Sequence, residues 1–314
     1  MRRTFLSIAA LLAAALHVAS AATTVNLPTW ACAITNDTVF SSGFQQELWT
    51  PTNPSGGSGG AAPGKFSRTL SIAGLGVGTQ TYYVYLPPDY TPSRPWPLLF
   101  VLHGSGNYGG QDVAAQQTRD NWANIAQFRH FIVAAPVSNA KVTQAGVDYA
   151  TWLIPPVTGP SDYDLIAAVV ADMEGAYNIE RTRIYGWGHS AGAHVLHDLV
   201  LGSYAPPGIG IDSMAAYGVS AGGLQQLVCG GVSDAACTTF LSGVSRKIPV
   251  DIHLGNTDPL YTTYGAGDDA TILANAGWVA GQNLFYTLFS GGHSYTSSNL
   301  GQIWTNICPF AVVP

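Results

Sequence analysis

Charged side chains are scarce in this 314-residue chain, in which Asp, Glu, Lys and Arg together make up only 10% of the residues. The 12 basic residues are outnumbered by 18 acidic ones, so the formal net charge is −6, and no run of basic residues occurs. Nucleic-acid binding depends on Lys and Arg side chains that neutralise phosphates. We therefore expect no nucleic-acid partner.

Long apolar segments are absent after the N-terminus, where a membrane-spanning helix would need about 18 or more apolar residues in a row. The N-terminus itself has the order of a secretory signal: two arginines, an apolar run over residues 5–18 and small residues at 19–21. We predict that residues 1–21 are a signal peptide. The mature chain is then secreted, to the cell exterior or the periplasm, without a membrane anchor.

Cysteine is also rare, with four residues in the whole chain. In an oxidising compartment, four cysteines usually form two disulfides, and three pairings are possible. We favour Cys229 with Cys237, because they are close in sequence, and Cys32 with Cys308, because that bond would tie the two ends together. Free buried thiols are the alternative.

The hydrophobic content of 47% is enough for one large domain with a full core. Residues 51–65 are rich in Gly, Ser and Pro, a composition typical of a flexible linker. The segment before it, residues 22–50, is too short to fold alone. We therefore predict an N-terminal segment at 22–50, a linker at 51–65 and a catalytic domain at 66–314.

Short apolar runs alternate with helical patterns from residue 66 onward. The runs predict strands at 82–86, 98–102, 131–135, 184–187, 214–219, 250–254 and 284–289. A helix is predicted after Ser161, with Ser161 and Asp164 as its capping box. This alternation predicts an α/β fold with a mostly parallel central sheet and helices on both faces. Functional residues should then lie in the loops that follow the strands.

The pattern Gly-x-Ser-x-Gly occurs twice. Ser190 lies in the copy at 188–192, between a predicted strand and an amphipathic helix, which is the context that exposes a serine as a nucleophile. Ser220 lies in the copy at 218–222, and the residues after it are too few for a supporting helix. We interpret Ser190 as the candidate nucleophile and Ser220 as a strand-end turn.

A candidate acid and a candidate base follow later strands. Asp258 comes just after the strand at 250–254, and His293 follows the strand at 284–289 and two glycines. A histidine can take the serine proton while a carboxylate holds the imidazole in the required tautomer. Asp258 could instead be an ordinary Asp-Pro turn residue. Asp251 is a weaker candidate for the acid because it lies within the strand.

Acyl transfer also needs two backbone donors directed at the developing oxyanion. One comes from the residue after the nucleophile, which is Ala191. The other is expected in the loop after the strand at 98–102, which reads His103-Gly104-Ser105-Gly106. We prefer the amide of Ser105 as this second donor.

The motifs YYVYLPPDY, PLLFVLHGSG, RIYGWGHSAGA, VDIHLGNTDPL and SGGHSY, spread over residues 80–295, show a family resemblance. The chain resembles the secreted esterases that include polyhydroxybutyrate depolymerases, feruloyl esterases and acetylxylan esterases. The resemblance implies the α/β-hydrolase fold and hydrolysis of a small or polymeric carboxylic ester, with Ser190, Asp258 and His293 at the matching positions. That chemistry needs no cofactor. The family usually has Cys-Thr where this chain has Ser105-Gly106, and a Trp soon after the catalytic histidine where this chain has Tyr295. These departures bear on the substrate and not on the reaction.

Several aromatic and histidine side chains near these loops are candidates for substrate binding. They are His103, Tyr108, Trp152, His189 and Tyr295. Each could equally be a packing residue, because aromatic side chains bury large areas wherever they occur. His194 and His197 are three residues apart on a predicted helix, but no zinc-protease motif surrounds them, so we expect no metal.

Two other functions remain open at this point. The same scaffold could carry a peptidase or a lipase, since a fold does not determine a substrate. It could also be a catalytically silent protein that binds polysaccharide through its aromatic loops. The sequence leaves the oligomeric state open.

Overall fold

The structure is a computed structural model, and it describes residues 22–27, 32, 52–60, 62–76, 78–204 and 206–313. The predicted signal peptide at 1–21 and most of the segment at 22–50 lie outside the described residues. Within those ranges, every helix is too short or too polar to cross a bilayer.

The strands of the described residues belong to one large sheet and two small ones. In chain order they are β1 (Thr23–Asn26), β2 (Gly64–Leu70), β3 (Gln80–Leu86), β4 (Trp96–Leu102), β5 (Gly106–Asn107), β6 (Ile132–Pro136), β7 (Ala140–Gln144), β8 (Val147–Thr151), β9 (Ile179–His189), β10 (Ala216–Ser220), β11 (Val250–Gly255), β12 (Leu284–Phe289) and β13 (Phe310–Val313). Each of the seven predicted strands overlaps one strand of the large sheet.

The α-helices lie between these strands. They are α1 (Gln111–Arg129), α2 (Asp162–Ala176), α3 (Ala191–Leu201), α4 (Asp234–Ser242), α5 (Pro259–Thr262), α6 (Asp269–Asn275) and α7 (Ser297–Ile307). Helix α2 begins with the predicted capping box: the Ser161 hydroxyl accepts from the amide of Tyr163, and the Asp164 carboxylate accepts from the amide of Ser161 at 2.7 Å.

The large sheet has eight strands in the order β12-β11-β10-β9-β4-β6-β3-β2. The neighbours from β12 to β6 pair in parallel, whereas β3 is antiparallel to both β6 and β2. The carboxyl ends of the parallel strands therefore meet at one edge, where ligands bind in open α/β sheets. This edge carries the three loops of the candidate site.

Helices cover both faces of this sheet, as the sequence predicts. Along β4, Leu98 and Phe100 face one hydrophobic core, which includes residues of α2 and α3. Leu99 and Val101 face a second core, which includes residues of α1 and α7. Because both faces are buried, the strand is apolar throughout and shows no alternation.

The segment predicted as a flexible linker contacts the main body in its described part. The amide of Ser55 donates to the carbonyl of Ile179 at 2.8 Å, and the amide of Gly59 donates to the carbonyl of Ala176 at 3.1 Å. Strand β2 then begins at Gly64, inside the predicted linker. Backbone groups make these contacts, so composition does not reveal them, and the division into segments remains a prediction.

Two disulfides connect the four cysteines in the favoured pairing. Cys32 bonds Cys308 across 276 residues of sequence, and Cys229 bonds Cys237 across 8. Strand β1 also pairs antiparallel with β13. Chain segments near the two ends are therefore joined both covalently and by backbone hydrogen bonds.

A small antiparallel sheet in the order β5-β8-β7 was not predicted. Its strands have mostly exposed or half-buried residues, and β5 has only two residues, so the sequence contains no apolar run to indicate it. Strand β5 directly follows Ser105, which places this sheet beside the candidate site.

Candidate active site

Ser190 lies at the turn between β9 and α3 and has φ 53° and ψ −120°. Residues other than glycine seldom adopt positive φ, so the turn is strained. It is also tight, because a Cβ atom on Gly188 would overlap the carbonyl of Gly192, and one on Gly192 would overlap the carbonyl of Leu102. The two glycines of the motif therefore permit the turn that exposes the serine.

Ser220, in the second copy of the Gly-x-Ser-x-Gly motif, lies beneath the turn of the first copy and bonds to its backbone. Ser220 is fully buried, its carbonyl accepts from the amide of Ser190 at 3.0 Å, and its hydroxyl accepts from the indole of Trp187 at 3.3 Å. Only a short 3₁₀ turn, Leu224–Gln226, follows it. Ser220 thus lies at a strand end without a supporting α-helix, as the sequence indicates.

The structure brings Ser190, His293 and Asp258 together. Nε2 of His293 lies 2.8 Å from Oγ of Ser190, and Nδ1 lies 3.0 and 3.1 Å from the two carboxylate oxygens of Asp258. The Asp258 side chain is fully buried, whereas that of His293 is 39% exposed. With the Nδ1 proton directed at the carboxylate, Nε2 is free to accept the serine proton.

Backbone contacts hold the acid loop against the histidine loop. The amide of Thr257 donates to the carbonyl of Gly291 at 2.9 Å, and a Cβ atom on Gly255 would overlap the same carbonyl. Asp258 also caps α5, because its carboxylate accepts from the amide of Leu260 at 2.8 Å. These bonds limit the movement of the carboxylate relative to the imidazole.

The loop with the predicted oxyanion donor lies against the serine. A Cβ atom on Gly104 would lie 3.0 Å from Cβ of Ser190 and 3.1 Å from Nδ1 of His189. The amide of Ser105 belongs to the next peptide. Ala191 begins α3, and the first amides of a helix have no acceptor within the helix. Both proposed donors are thus in segments that contact or adjoin the nucleophile.

Comparison with known proteins supports this architecture. No family model matches the chain. The bifunctional acetylxylan esterase/xylanase XynS20E of Neocallimastix patriciarum is 30% identical over 110 residues, which are 35% of this chain and 14% of that protein. A ferulic acid esterase structure superposes with a TM-score of 0.55 at 15% identity, over 78% of this chain and 96% of its own. The chain has the α/β-hydrolase fold.

A second solved structure has the same α/β-hydrolase fold. It is the CE1 ferulic acid esterase AmCE1/Fae1A from Anaeromyces mucronatus, with a TM-score of 0.53 and 17% identity over 80% of this chain and 93% of its own. These neighbours agree with the esterase resemblance seen in the sequence motifs. At 15% and 17% identity, these superpositions show a shared fold and no more.

Two of the candidates for substrate binding have buried side chains. His103 and Trp152 are 2% and 3% exposed, and their ring centroids are 4.8 Å apart. The Trp152 indole donates to the carbonyl of His103 at 2.9 Å, and burial lowers the pKa of His103. They support the Gly104 loop from inside, in line with the packing alternative, and a role in substrate binding stays a prediction.

His189 and Tyr295 lie beside the candidate base. The His189 ring is 4.9 Å from that of Tyr295 and 5.3 Å from that of His293. Burial, and secondly the proximity of His293, lowers the pKa of His189 to about 4, so its imidazole is neutral. The Tyr295 hydroxyl accepts from the side-chain amide of Asn121 at 3.0 Å.

Tyr108 is 51% exposed at the end of β5, where the ammonium group of Lys141 lies 5.3 Å from its ring centroid.

The two histidines considered as metal ligands have other partners: Nδ1 of His194 accepts from the amide of Gly223, and Nδ1 of His197 bonds the hydroxyl of Tyr217. Among the described residues, no group of three or more His, Cys, Asp or Glu is arranged to hold a metal ion.

Sequence reasoning missed the support residues of the site. The sequence places Gly104 in the oxyanion loop but does not predict its close approach to Ser190, and it does not predict the hydrogen bond between His253 and Asn299. The only sequence signal is a histidine inside an apolar strand, and such a residue is more often a core histidine with a partner than a functional one.

Proposed function

We propose that this chain is an exported serine ester hydrolase that works through an acyl-enzyme. The observation that carries the proposal is the bridging position of His293, 2.8 Å from the Ser190 hydroxyl and 3.0 Å from the Asp258 carboxylate. A serine hydroxyl is a weak nucleophile unless a base lies within hydrogen-bond reach. The strained turn supports the same role, since backbone strain concentrates at functional sites.

In the first half of the reaction, Oγ of Ser190 attacks the ester carbonyl carbon while Nε2 of His293 takes the hydroxyl proton. Asp258 holds the imidazole through Nδ1–H and stabilises the imidazolium ion that forms. Collapse of the tetrahedral intermediate breaks the bond to the alcohol oxygen, which leaves with the proton from Nε2. The acyl group remains on Ser190.

In the second half, His293 takes a proton from water, which attacks the acyl-enzyme carbonyl. The second intermediate collapses, Ser190 regains its proton, and the carboxylic acid leaves. The amides of Ser105 and Ala191 donate to the oxyanion in both halves. Removal of one such donor typically costs about 3 kcal/mol of transition-state stabilisation.

The proposed substrates are carboxylic esters of plant polysaccharide, such as feruloyl or acetyl groups, or a polyester. The names of the relatives, which refer to ferulic acid and acetylxylan, support the first class. The aromatic side chains of His189 and Tyr295 next to the base suit a ring on the substrate. Two disulfides and the signal-like N-terminus support export.

A panel of substrates tests the reaction class. Methyl ferulate, acetylated xylan and polyhydroxybutyrate would be compared with long-chain fatty esters and aminoacyl amides under the same conditions. We expect turnover of at least one of the first three and none of the amides. Turnover of amides alone would indicate a peptidase, and preference for long chains would indicate a lipase.

The nucleophile is tested by Ser190→Ala, with Ser220→Ala as the matched control from the second motif. We expect Ser190→Ala to lower kcat by more than about 10³-fold and to abolish labelling by a fluorophosphonate probe. Ser220→Ala should keep the wild-type kcat and the wild-type labelling. Absence of labelling in the folded wild-type protein would instead support the catalytically silent binding protein.

A further inference from the structure

A chain of buried hydrogen bonds joins the strand that leads to Asp258 to the helix that follows His293. Asp251 and His253 lie two residues apart on β11, and both side chains are 0% exposed. Nε2 of His253 lies 3.2 Å from the carboxylate of Asp251. From α7, the side-chain nitrogen of Asn299 lies 3.3 Å from Nδ1 of His253, and that of Asn306 donates to Asp251 at 2.9 Å.

The capping box of α7 determines the direction of these bonds. The side-chain oxygen of Asn299 accepts from the amide of Thr296 at 2.9 Å, so the side-chain nitrogen must face His253. That nitrogen can only donate, which leaves Nδ1 of His253 as an acceptor without a proton. The proton of His253 is therefore on Nε2, where it is donated to the Asp251 carboxylate.

The backbone of His253 adds a third connection. Its carbonyl accepts from the amide of Ala221 at 3.0 Å, and the neighbouring carbonyl of Ser220 accepts from the amide of Ser190, also at 3.0 Å. His253 is thus linked to the strand end that holds the nucleophile, to the helix that follows the base, and through its own strand to the acid.

We propose that Asp251, His253 and Asn299 form a positioning unit that holds the loops of Asp258 and His293 in place. These side chains are positioning residues, because they join β11, which leads to Asp258, to α7, which follows His293. A buried polar network in which each member has a partner makes its surroundings rigid. The inference rests on the proposed function, since the contact that the unit controls is the one between His293 and Asp258.

Two substitutions of His253 and one control test the unit. His253→Leu removes both side-chain bonds. His253→Gln keeps them, because the amide oxygen can accept from Asn299 and the amide nitrogen can donate to Asp251. Asn306→Ala removes a different donor to the same carboxylate and leaves the connection to α7 at Asn299 intact.

We expect His253→Leu to lower kcat for a nitrophenyl acetate ester by about 10- to 100-fold, because small misplacements of reacting groups have effects of this size. KM should stay within about twofold, since substrate contacts do not change. His253→Gln should keep most of the activity. Asn306→Ala should lower the melting temperature without lowering kcat. An equal loss of kcat in all three variants would show a merely structural role and overturn the proposal.

A second measurement needs no substrate. The downfield proton resonance of the His293–Asp258 hydrogen bond should shift or broaden in His253→Leu and stay unchanged in His253→Gln and Asn306→Ala. An unchanged resonance in folded His253→Leu would overturn the proposal. If the wild-type protein hydrolyses no ester, the proposed function fails, and this resonance still decides the positioning unit by itself.

Should His253→Leu fail to fold, Asn299→Leu decides in its place. Leucine can neither donate to His253 nor accept from it, and the Thr296 hydroxyl still accepts from the amide of residue 299, so half of the capping box of α7 is retained. We expect the same shift of the resonance and the same loss of kcat. Wild-type values for both in folded Asn299→Leu would overturn the proposal.

Discussion

At the scale of single residues, Ser190 combines exposure with backbone strain. Its φ of 53° belongs to a region in which residues other than glycine cost about 1–3 kcal/mol. Neighbouring contacts hold it there, including the bond from its amide to Ser220. The sequence reveals this residue because the glycines that permit the turn lie on either side of it.

This strain predicts an order of stability between two inactive variants. We expect Ser190→Gly to be more stable than Ser190→Ala by about 1 kcal/mol, because glycine adopts positive φ freely and loses only part of that gain through chain entropy. Urea unfolding of both variants at the same pH measures the difference. Equal stabilities would mean that the turn is not strained.

Buried histidines near α3 predict a loss of stability in acid. Burial lowers the pKa of His197 to about 3, and its Nδ1 bonds the Tyr217 hydroxyl at 3.0 Å. In the unfolded chain this imidazole has a pKa near 6.5, so below pH 6.5 only the unfolded state takes up the proton. Its contribution to stability is therefore complete above pH 6.5 and is lost progressively toward pH 3.

His197→Gln tests this effect, because glutamine can still accept from Tyr217 and does not titrate. Between pH 6.5 and pH 5 the wild-type protein should lose about 1.6 kcal/mol more unfolding free energy than the variant, because the slope rises from half of its limit at pH 6.5 to about 1.4 kcal/mol for each pH unit. Urea unfolding at the two pH values gives both slopes. Parallel slopes would show that His197 is protonated in the folded protein.

At the scale of elements, the start of α3 depends on its close approach to the end of β4. Gly192 lies where a Cβ atom would overlap the carbonyls of Leu102 and His103, the residues that precede the Ser105 loop. Gly301, in the middle of α7, has no atom within 4 Å of the same position. Close packing therefore requires glycine at position 192, whereas position 301 has space for a larger side chain.

Alanine at these two glycines should have opposite effects. We expect Gly192→Ala to destabilise the protein by about 1–3 kcal/mol and to lower kcat, because the loop with the oxyanion donor must move. Gly301→Ala should stabilise it by about 0.5–1 kcal/mol and leave kcat unchanged. Melting temperatures and ester turnover of the pair measure both effects. A tolerated alanine at 192 would contradict the packing at the elbow.

The accuracy of the sequence prediction also varied between elements. Strands such as β4 and β6 are buried on both faces, so their apolar runs were sufficient to predict them. Strand β2 alternates between half-buried and exposed residues at the edge of the sheet, and its sequence GKFSRTL was missed. No residue of this edge strand is fully buried, and its half-buried positions include Arg68 as well as Phe66 and Leu70, so apolar and polar residues do not alternate in the sequence.

At the scale of the whole molecule, the two disulfides close loops of very different length. The bond between Cys32 and Cys308 spans 276 residues, and that between Cys229 and Cys237 spans 8. A cross-link stabilises a protein mainly by restricting the unfolded chain, and the effect grows with loop length. The disulfide between Cys32 and Cys308 should therefore contribute more to the free energy of unfolding than the one between Cys229 and Cys237.

Replacement of each pair by serines tests this difference. In the chain-entropy account, loss of the bond between Cys32 and Cys308 costs about 5.6 kcal/mol and loss of the bond between Cys229 and Cys237 about 2.5 kcal/mol. Urea unfolding of the two double variants beside the wild-type protein measures both. A larger loss for Cys229 and Cys237 would mean that local packing outweighs chain entropy in this protein.

The sequence by itself determined the fold class, most strands of the central sheet and the three residues that meet at its edge. These features follow from local rules, namely apolar runs, a glycine-flanked turn and loops after strands. Only the tertiary structure decided that Trp152 and His103 face inward and that His253 connects the loops. Those contacts join residues 49 and 46 positions apart, and no local pattern in the chain specifies such a pair.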